Sequence, residues 1–221
     1  MNMHEQPIGQ LACALPGATR IFHQHKLDFC CGGHVSLREA AEKRGVDLAA
    51  LLKQLEPLQQ GDSQIRDWRS ATTAELIDYI LRRFHEQHRQ EIPELIRLAR
   101  RVEHVHAGRP DCPAGLADHL DAMFQELLSH MMKEEQVLFP MLLAGRDAEA
   151  HSPISMMRYE HDQHGEALAR LEALTDDITA PADACNTWRA LYAGLAKLRE
   201  DLMQHIHLEN NVLFINAGHP A

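Results

Sequence analysis

Two stretches of this chain share one pattern, in which a histidine is followed four residues later by a glutamate and then by Val-Leu-Phe. The first stretch runs from His130 to Phe139 and the second from His205 to Phe214. A histidine and a glutamate four residues apart lie on the same face of an α-helix. Each stretch is therefore predicted to be a helix that points an imidazole and a carboxylate in the same direction.

A second motif, His-x-x-His, is also present twice. It starts at His85 and again at His161, an offset of 76 residues, and the offset between His130 and His205 is 75 residues. Matching motifs in the same order at nearly the same offset are typical of an internal repeat. We predict a duplicated helical hairpin, in which each half supplies one helix of each kind.

Apolar residues surround these motifs in steps of three and four. On one predicted helix, the stripe runs through Leu127, His130, Glu134, Val137 and Met141. Amphipathic helices with short connections predict an all-α fold that contains an antiparallel four-helix bundle. The motif residues interrupt the apolar stripes, and polar groups are costly in a core unless they are paired or bind a metal.

The predicted metal ligands are four histidines and two glutamates on these stripes. Nitrogen and oxygen donors suit iron, manganese or zinc better than metals that prefer thiolates. Such a set can hold two metal ions with both carboxylates bridging, which favours a di-iron centre, with di-manganese as the alternative. The spacing differs from the Glu-x-x-His motif of ferritin-like bundles. The six residues are His85, His130, Glu134, His161, His205 and Glu209.

Other histidines and acids near the motifs receive weaker assignments. His88 and His164 also lie on core stripes, and they are either further ligands or partners of the ligands. His106, near a helix end, is a weaker ligand candidate. Glu135 and Glu160 lie off the stripes and are not predicted to be ligands. The remaining histidines discussed are expected to be solvated: His104, His151, His207 and His219.

Residues 1–68 are predicted to form a small helical domain, and residues 72–221 are predicted to form the bundle domain. A first amphipathic helix is expected from Pro7 to Phe22. Ser36 and Glu39 form a capping box for another helix, which Gly45 should end. Asp47 is expected to cap the helix that follows.

The segment Asp28-Phe-Cys30-Cys31-Gly32-Gly33 carries the most distinctive residues of this small domain. A disulfide between adjacent cysteines closes a strained ring, so a structural bridge is disfavoured. The glycines predict a tight turn with positive φ and open access. Cys30 and Cys31 are either packed thiols or a reactive pair that exchanges iron, sulfur or nitric oxide. The nearby Lys26 and His34 would favour the thiolate.

Charge and composition exclude several classes of protein. The net charge of −10 argues against binding to nucleic acid or to an anionic membrane. No apolar run approaches the ~20 residues of a membrane span. The N-terminus lacks the features of a signal peptide. Five cysteines, an odd number, suit the reducing cytoplasm better than a disulfide framework. Three of them have no distinctive context and are interpreted as structural: Cys13, Cys112 and Cys185.

The chain resembles a known family, the proteins for repair of iron centres (RIC) of the YtfE or ScdA type. The resemblance covers nearly the whole chain and rests on five segments: residues 28–33, 67–69, 129–135, 160–162 and 208–214. It implies a small N-terminal domain with a Cys-Cys pair, followed by a hemerythrin-like bundle with two irons. The family's ligand pattern falls on the six residues named above. One departure is that Ile215 follows the last Val-Leu-Phe, where such proteins tend to have a proline, as this chain has at Pro140 after the first Val-Leu-Phe.

The resemblance implies a role in restoring iron–sulfur clusters damaged by nitric oxide or peroxide. Its expected partners are damaged iron–sulfur proteins and small ligands such as nitric oxide or oxygen species, and it leaves room for a homodimer. Two alternatives stay open at this point. One is a hemerythrin-like carrier or sensor of oxygen or nitric oxide. The other is an enzyme that reduces nitric oxide or peroxide, so enzymatic turnover is left undecided.

Overall fold

The computed structural model describes residues 3–15, 17–60 and 67–216. Within these ranges the regular structure is helical, and the one contact of β type is an isolated bridge between Pro7 and Ser36. The all-α prediction is therefore confirmed. The chain divides into two compact units. The N-terminal unit extends to Ile77 and includes the stretch from Gln204 onward, and the bundle unit spans Asp78–Met203. The predicted domain limits, 1–68 and 72–221, stay a prediction.

The N-terminal unit begins with four short helices, and the single helix predicted from Pro7 to Phe22 is wrong. The chain breaks at Leu15, and Gly17, with φ of 89°, occupies the left-handed region just before the second helix. Two helices therefore replace one. The four helices are α1 Ile8–Ala14, α2 Ala18–Gln24, α3 Leu37–Arg44 and α4 Leu48–Leu55.

Local capping signals in this unit act as predicted. The Ser36 hydroxyl accepts a hydrogen bond from the Glu39 backbone N–H at 3.2 Å, and the Glu39 carboxylate accepts one from the Ser36 N–H at 3.0 Å. Gly45 ends α3 with φ of 66°. The Asp47 carboxylate accepts a hydrogen bond from the Ala49 N–H at the start of α4. These caps satisfy backbone groups that a helix end leaves without partners.

The described residues after these helices form four long α-helices, three short α-helices and three π-helical turns. α5 and α10 each contribute residues to both units. The elements in chain order are α5 Thr73–Ile80, a π-turn Leu81–His85, α6 Glu86–His106, α7 Leu116–Lys133, a π-turn Glu134–Leu138, α8 Phe139–Leu143, α9 Asp147–Leu174, α10 Asn186–Leu208, a π-turn Glu209–Leu213 and α11 Phe214–Asn216. Among the described residues, no helix is both long enough and apolar enough to cross a membrane.

Within the bundle unit, neighbouring helices run antiparallel. Near the start of α7, His119 Nε2 lies 2.8 Å from the carbonyl oxygen of Ala167, far along α9. Near the end of α7, His130 Nδ1 lies 2.9 Å from the Glu160 carboxylate, earlier on α9. As the residue number rises along α7, the number of the residue contacted on α9 falls. This is the antiparallel pairing predicted from the short connections.

α6 and α10 approach each other closely in the same unit. Gly194 lies against Leu95, and a Cβ atom at position 194 would lie 2.5 Å from Leu95 Cδ2. Lys197 Nζ on α10 lies 2.7 Å from the Glu91 carboxylate on α6. The glycine therefore lets the two backbones approach, and charged side chains border the contact.

The π-turn after α7 moves the apolar stripe by one residue. The sequence predicted Val137 on the core face, but its exposed fraction is 44%. Leu138, Phe139 and Leu142 are buried instead, with exposed fractions of 1%, 2% and 5%. A π-turn accommodates one extra residue in the helix, so the residues after Glu134 rotate relative to a regular α-helix.

Candidate metal centre

Three predicted ligands meet in the core of the bundle unit, on α7, α9 and the π-turn that starts at Glu134. The possible ligand atoms of His130, Glu134 and His161 all lie within 4.8 Å of one another. His130 Nε2 lies 3.4 Å from Glu134 Oε1 and 3.1 Å from His161 Nε2. All three side chains have exposed fractions of at most 1%. Two imidazoles and a carboxylate therefore converge in a site shielded from water.

His85 approaches the same carboxylate from its other side. Its Nε2 lies 3.4 Å from Glu134 Oε2, and its side chain is fully buried. Each Glu134 oxygen thus faces a different imidazole, and among the described residues neither oxygen accepts a hydrogen bond of regular geometry. Burial would raise the pKa of Glu134, but the imidazoles of His130 and His85 outweigh it and hold this pKa well below its usual range. The carboxylate is therefore ionised, with one oxygen directed to each side.

These distances fit ligands of a common metal ion. Bonds from a divalent metal to imidazole nitrogen or carboxylate oxygen are about 2.1 Å long, which separates adjacent ligand atoms by about 3.0–3.4 Å at angles of 90–109°. His130 Nε2 lies 3.1 Å from His161 Nε2 and 3.4 Å from Glu134 Oε1, which agrees with these values. The histidines and the glutamate of this cluster therefore suit a metal site.

Two carboxylates outside the predicted ligand set contact the imidazoles from behind, at their Nδ1 atoms. Glu135 Oε1 lies 2.7 Å from His85 Nδ1 and Glu160 Oε2 lies 2.9 Å from His130 Nδ1. A hydrogen bond at Nδ1 fixes the tautomer and leaves Nε2 for the metal. The hydrogen bonds from His130 and Lys133 overcome burial and lower the pKa of Glu160 to about 2.

The sequence missed these two carboxylates because it compared residues only along their own helix. Glu135, in the π-turn after α7, reaches His85 in the π-turn before α6, and Glu160 on α9 reaches His130 on α7. The partners are therefore 50 and 30 residues apart in sequence. The available signal was their position directly beside a predicted ligand, since metal-binding histidines commonly donate their second N–H to a carboxylate.

The other histidines of the bundle unit divide by burial. His88 and His164 are buried, with exposed fractions of 1% and 4%, as their stripes predicted. The His164 ring lies edge-on to the His130 ring, with centroids 5.0 Å apart. His106 is half-buried, and its Nε2 lies 3.4 Å from Cys185 Sγ. His104 and His151 are exposed as predicted, and His219 lies outside the described residues.

The last His-x-x-x-Glu motif lies in the N-terminal unit. His205 Nε2 and Glu209 Oε1 are 3.0 Å apart, and both side chains are buried. A π-turn begins at Glu209, as another begins at Glu134. The repeat recognised in the sequence is therefore reproduced in local backbone geometry, with an imidazole and a carboxylate adjacent in both copies.

His207 is fully buried, so the prediction that it is solvated is wrong. Its ring packs edge-on against Phe29 with centroids 5.5 Å apart, and its Nε2 lies 3.3 Å from Cys13 Sγ. Burial lowers the pKa of His207 to about 4. Both neighbours belong to the first helices and loop of the N-terminal unit, which the spacing along α10 could not predict.

The Cys30–Cys31 loop is also part of the N-terminal unit. Each of the five cysteines, all within the described residues, is a free thiol, as predicted. Cys30 is buried and Cys31 is half-buried. The Cys31 thiol, burial and the Asp28 carboxylate raise the pKa of Cys30 well above its usual value. At Cys30 these influences act against the thiolate that Lys26 and His34 were expected to favour in the pair.

The glycines of this loop serve close packing instead of a positive φ. Neither Gly32 nor Gly33 has φ in the left-handed region. A Cβ atom at Gly33 would lie 2.3 Å from Asn211 Oδ1 and 2.8 Å from the Phe29 carbonyl oxygen. Asn211 Nδ2 donates to the carbonyl oxygens of Phe29 and Cys30, both at 3.1 Å. The glycine therefore makes room for an asparagine that holds the loop, a role that the sequence did not indicate.

Comparisons with known proteins agree with this architecture. The model of the hemerythrin HHE cation-binding domain matches residues 76–215, and the ScdA_N model, a domain of unknown function, matches residues 4–59. The iron-sulfur cluster repair protein YtfE of Edwardsiella ictaluri is 50% identical over 217 residues, covering 98% of each chain. A probable iron-sulfur cluster repair protein of Haemophilus influenzae is 48% identical over 97% of each chain.

The matched domains and the relatives agree with the motifs from which the site was built. A further relative, the iron-sulfur cluster repair protein YtfE of Musicola paradisiaca, is 49% identical and covers 98% of each chain. Identity at this level over nearly the full length of both chains leaves one assignment. This chain belongs to the YtfE family of iron–sulfur cluster repair proteins, whose second domain is of the hemerythrin HHE cation-binding type.

Proposed function

We propose that this protein restores damaged iron–sulfur clusters by means of a di-iron centre in its bundle and the thiol pair of its N-terminal loop. The observation that carries the proposal is Glu134. Its carboxylate is buried and ionised, and its two oxygens face the imidazoles of His85 and His130 at 3.4 Å each. A buried carboxylate in this position is costly without a cation, and two ions would compensate it.

The proposed ligands of the two irons are the six residues expected from the sequence. His85, His130, Glu134 and His161 are supported by the distances in the bundle unit. His205 and Glu209 are supported by the repeat, because they have the spacing, burial and π-turn of His130 and Glu134. Each half of the duplication then contributes two histidines and one glutamate to the proposed centre.

The surrounding residues orient the ligands and limit the access of water. Glu135 and Glu160 accept from Nδ1 of two ligating histidines, which keeps Nε2 directed inward. A cavity of about 350 Å³ lies beside this region between α7 and α9, and we propose it as the entrance for small ligands such as nitric oxide or oxygen species. Iron held by the six ligands would supply the metal that a damaged cluster lacks. The cavity is lined by Gln125, Glu126, Ser129, Lys133, Glu160, Gln163 and His164.

The thiol pair is proposed as the group that meets the client protein. Cys31 is partly exposed, and thiolates compete well for iron and for nitrosyl groups. Free thiols and the absence of a disulfide among the described cysteines suit a reducing compartment, and we propose the cytoplasm.

The test is recovery of a dehydratase such as aconitase after its cluster has been damaged with nitric oxide. Equal concentrations of wild-type protein, Glu134→Ala, Cys30→Ser/Cys31→Ser and Cys185→Ser are compared. Wild type and Cys185→Ser should restore activity, and the other two should not. The Cys185→Ser control removes an exposed thiol outside the proposed site.

Two results would contradict the proposal. Full recovery with Glu134→Ala would remove the di-iron centre from the repair reaction. Absence of recovery with the wild-type protein, together with reversible binding of nitric oxide or oxygen, would favour the carrier or sensor alternative.

A further inference from the structure

A second group of metal-binding side chains lies in the N-terminal unit, outside the bundle. The possible ligand atoms of Asp28, Cys30 and Cys31 all lie within 4.8 Å of one another. Cys30 is buried, Cys31 is half-buried and Asp28 is exposed, so the group reaches from the interior to the surface. Two sulfurs and one oxygen form a donor set of a different kind from the imidazoles and carboxylates of the bundle.

The separations in this group match three corners of a tetrahedron around one ion. The two Sγ atoms are 3.9 Å apart, and Cys30 Sγ lies 3.5 Å from Asp28 Oδ1. Metal–sulfur bonds of about 2.3 Å and a metal–oxygen bond of about 2.1 Å give about 3.8 and about 3.6 Å at tetrahedral angles. Adjacent cysteines seldom direct both sulfurs to one point, so this match depends on the conformation of the loop.

The loop is held in that conformation by hydrogen bonds and close packing. Asp28 Oδ1 accepts from the Cys31 backbone N–H at 2.9 Å. The carbonyl oxygen of Cys30 accepts from Asn210 Nδ2 at 3.2 Å and from Asn211 Nδ2 at 3.1 Å. A Cβ atom at Gly32 would lie 3.0 Å from Asp28 Oδ2. Ligands that are ordered before binding lose little entropy when an ion arrives.

The charges of the group favour a cation. The Asp28 carboxylate lies beside the thiols, with its Oδ1 3.5 Å from Cys30 Sγ. A divalent ion at this position is attracted by the carboxylate and displaces the thiol protons as it binds.

We propose that Asp28, Cys30 and Cys31 are three ligands of a separate site that takes one borderline divalent ion, such as ferrous iron, and leaves a fourth position open. The open position suits a cysteine thiolate of a client protein, which would replace the ligands one by one. Binding forms two metal–sulfur bonds and releases two thiol protons to solvent, with no change of oxidation state. This site gives the proposed repair function an intermediate position for iron, but its existence can be tested without a repair assay.

The experiment is an anaerobic titration of the full-length protein with Co²⁺, followed in the near ultraviolet. Thiolate–cobalt bonds give charge-transfer absorption, whereas ions bound by imidazoles and carboxylates do not. At saturation the amplitude of this band in wild type should correspond to one thiolate-bound Co²⁺ per chain, and that ion should release about two protons. The Cys185→Ser variant is the matched control for an exposed thiol elsewhere, and its titration should equal that of wild type.

Substitution of Asp28 tests the third ligand while it leaves both thiols in place. Asp28→Asn keeps an oxygen that can accept the Cys31 N–H but removes the negative charge. Loss of an outer partner of a metal ligand typically costs 10–100-fold in affinity, so loss of a charged ligand should raise the free Co²⁺ concentration needed to develop the band by at least about tenfold. Circular dichroism should remain that of wild type.

Several outcomes would overturn the inference. One is a charge-transfer band no stronger than that of Cys30→Ser/Cys31→Ser. Another is wild-type Co²⁺ affinity in Asp28→Asn, which would remove the carboxylate from the site. Repair of aconitase by a protein without the band would contradict this inference and leave the proposed function standing. A normal band in a protein that does not repair aconitase would support the metal site and contradict the proposed function.

Discussion

Carboxylates outside the proposed ligand set hold two imidazoles of the bundle in position through hydrogen bonds. Glu135 holds His85, and Arg89 in turn donates to Glu135 at 2.7 Å. Glu160 holds His130 and also pairs with Lys133. Each of these two histidines is thus held by a series of charged hydrogen bonds that ends near the surface. Hydrogen-bond partners of this kind tune the metal affinity of a ligand.

Glu135→Ala should lower iron affinity by about 10–100-fold, because His85 loses the acceptor that fixes its tautomer. Glu134→Ala should abolish iron binding at the centre, since the carboxylate between two imidazoles disappears. Glu86→Ala, which removes an exposed carboxylate directly after His85, is the matched control and should bind iron as wild type does. Iron affinity is measured by competition with a chelator. Unchanged affinity in Glu135→Ala would show that its hydrogen bond to His85 has no role in binding.

At the scale of elements, π-turns mark both copies of the glutamate motif and a third precedes α6. They start at Glu134 and Glu209 and end at His85. A π-turn is less favourable than a regular α-helix and is frequent at functional sites. In each case a proposed ligand is the first or last residue of the turn. The helix therefore departs from regular α geometry at the positions where the direction of a proposed ligand side chain is set.

Interactions between residues close in sequence could be predicted from this chain, and interactions between residues far apart in sequence could not. The caps at Ser36 and Asp47 were predicted, because capping depends on residues two or three positions apart. The six proposed ligands were selected from helical spacing and repetition, which are also local. The burial of His207 and the hydrogen bonds from Asn211 to the Cys30 loop could not be predicted, because the partners of both residues lie more than 170 residues away in sequence. Long-range packing therefore accounts for what the sequence pattern missed.

Charged pairs between α6, its preceding π-turn and α10 make the bundle unit sensitive to acid. Asp201 accepts hydrogen bonds from Arg83 at 3.1 Å and from Lys197 at 2.9 Å. Burial would raise the pKa of Asp201, but these cations outweigh it and keep this pKa below the usual value of 3.8. The stabilisation is fully present above the unfolded pKa and is lost as pH falls through the folded pKa.

We predict that Asp201→Asn lowers the free energy of unfolding by about 1–3 kcal/mol at pH 7. The difference from wild type should shrink as pH falls below about 4, where the unfolded carboxyl becomes protonated. Urea unfolding at several pH values measures it. Asp78→Asn, in an exposed pair with Arg82, is the control and should change stability by less than about 1 kcal/mol. A difference that is constant down to pH 2 would contradict the assigned ion pairs.

At the scale of the whole molecule, both ends of the chain contribute to one unit. The N-terminal unit combines the first helices with the stretch from Gln204 onward. His207 packs against Phe29, and Asn210 and Asn211 hold the carbonyl of Cys30. The end of the second glutamate motif is therefore packed by residues from the beginning of the chain.

A truncated chain that begins at Ser70 should remain helical but melt at a lower temperature than the full chain. It loses three side-chain hydrogen bonds to the loop carbonyls, worth about 1 kcal/mol each, which corresponds to about 6–12 °C in Tm for a protein of this size. Asn211→Ala in the full chain should produce part of this loss. Equal melting temperatures for truncated and full chains would support the predicted limit near residue 70 as a complete domain boundary.

The central claim is that six residues of the duplicated hairpin hold two irons. The direct measurement is iron content together with the Mössbauer spectrum of Cys30→Ser/Cys31→Ser after anaerobic loading with ferrous iron and removal of the excess. The double substitution excludes iron bound by the thiol pair. We predict two irons per chain with nitrogen and oxygen ligation, and a loss of both in Glu134→Ala. A single iron per chain, or two irons that persist without Glu134, would contradict the account.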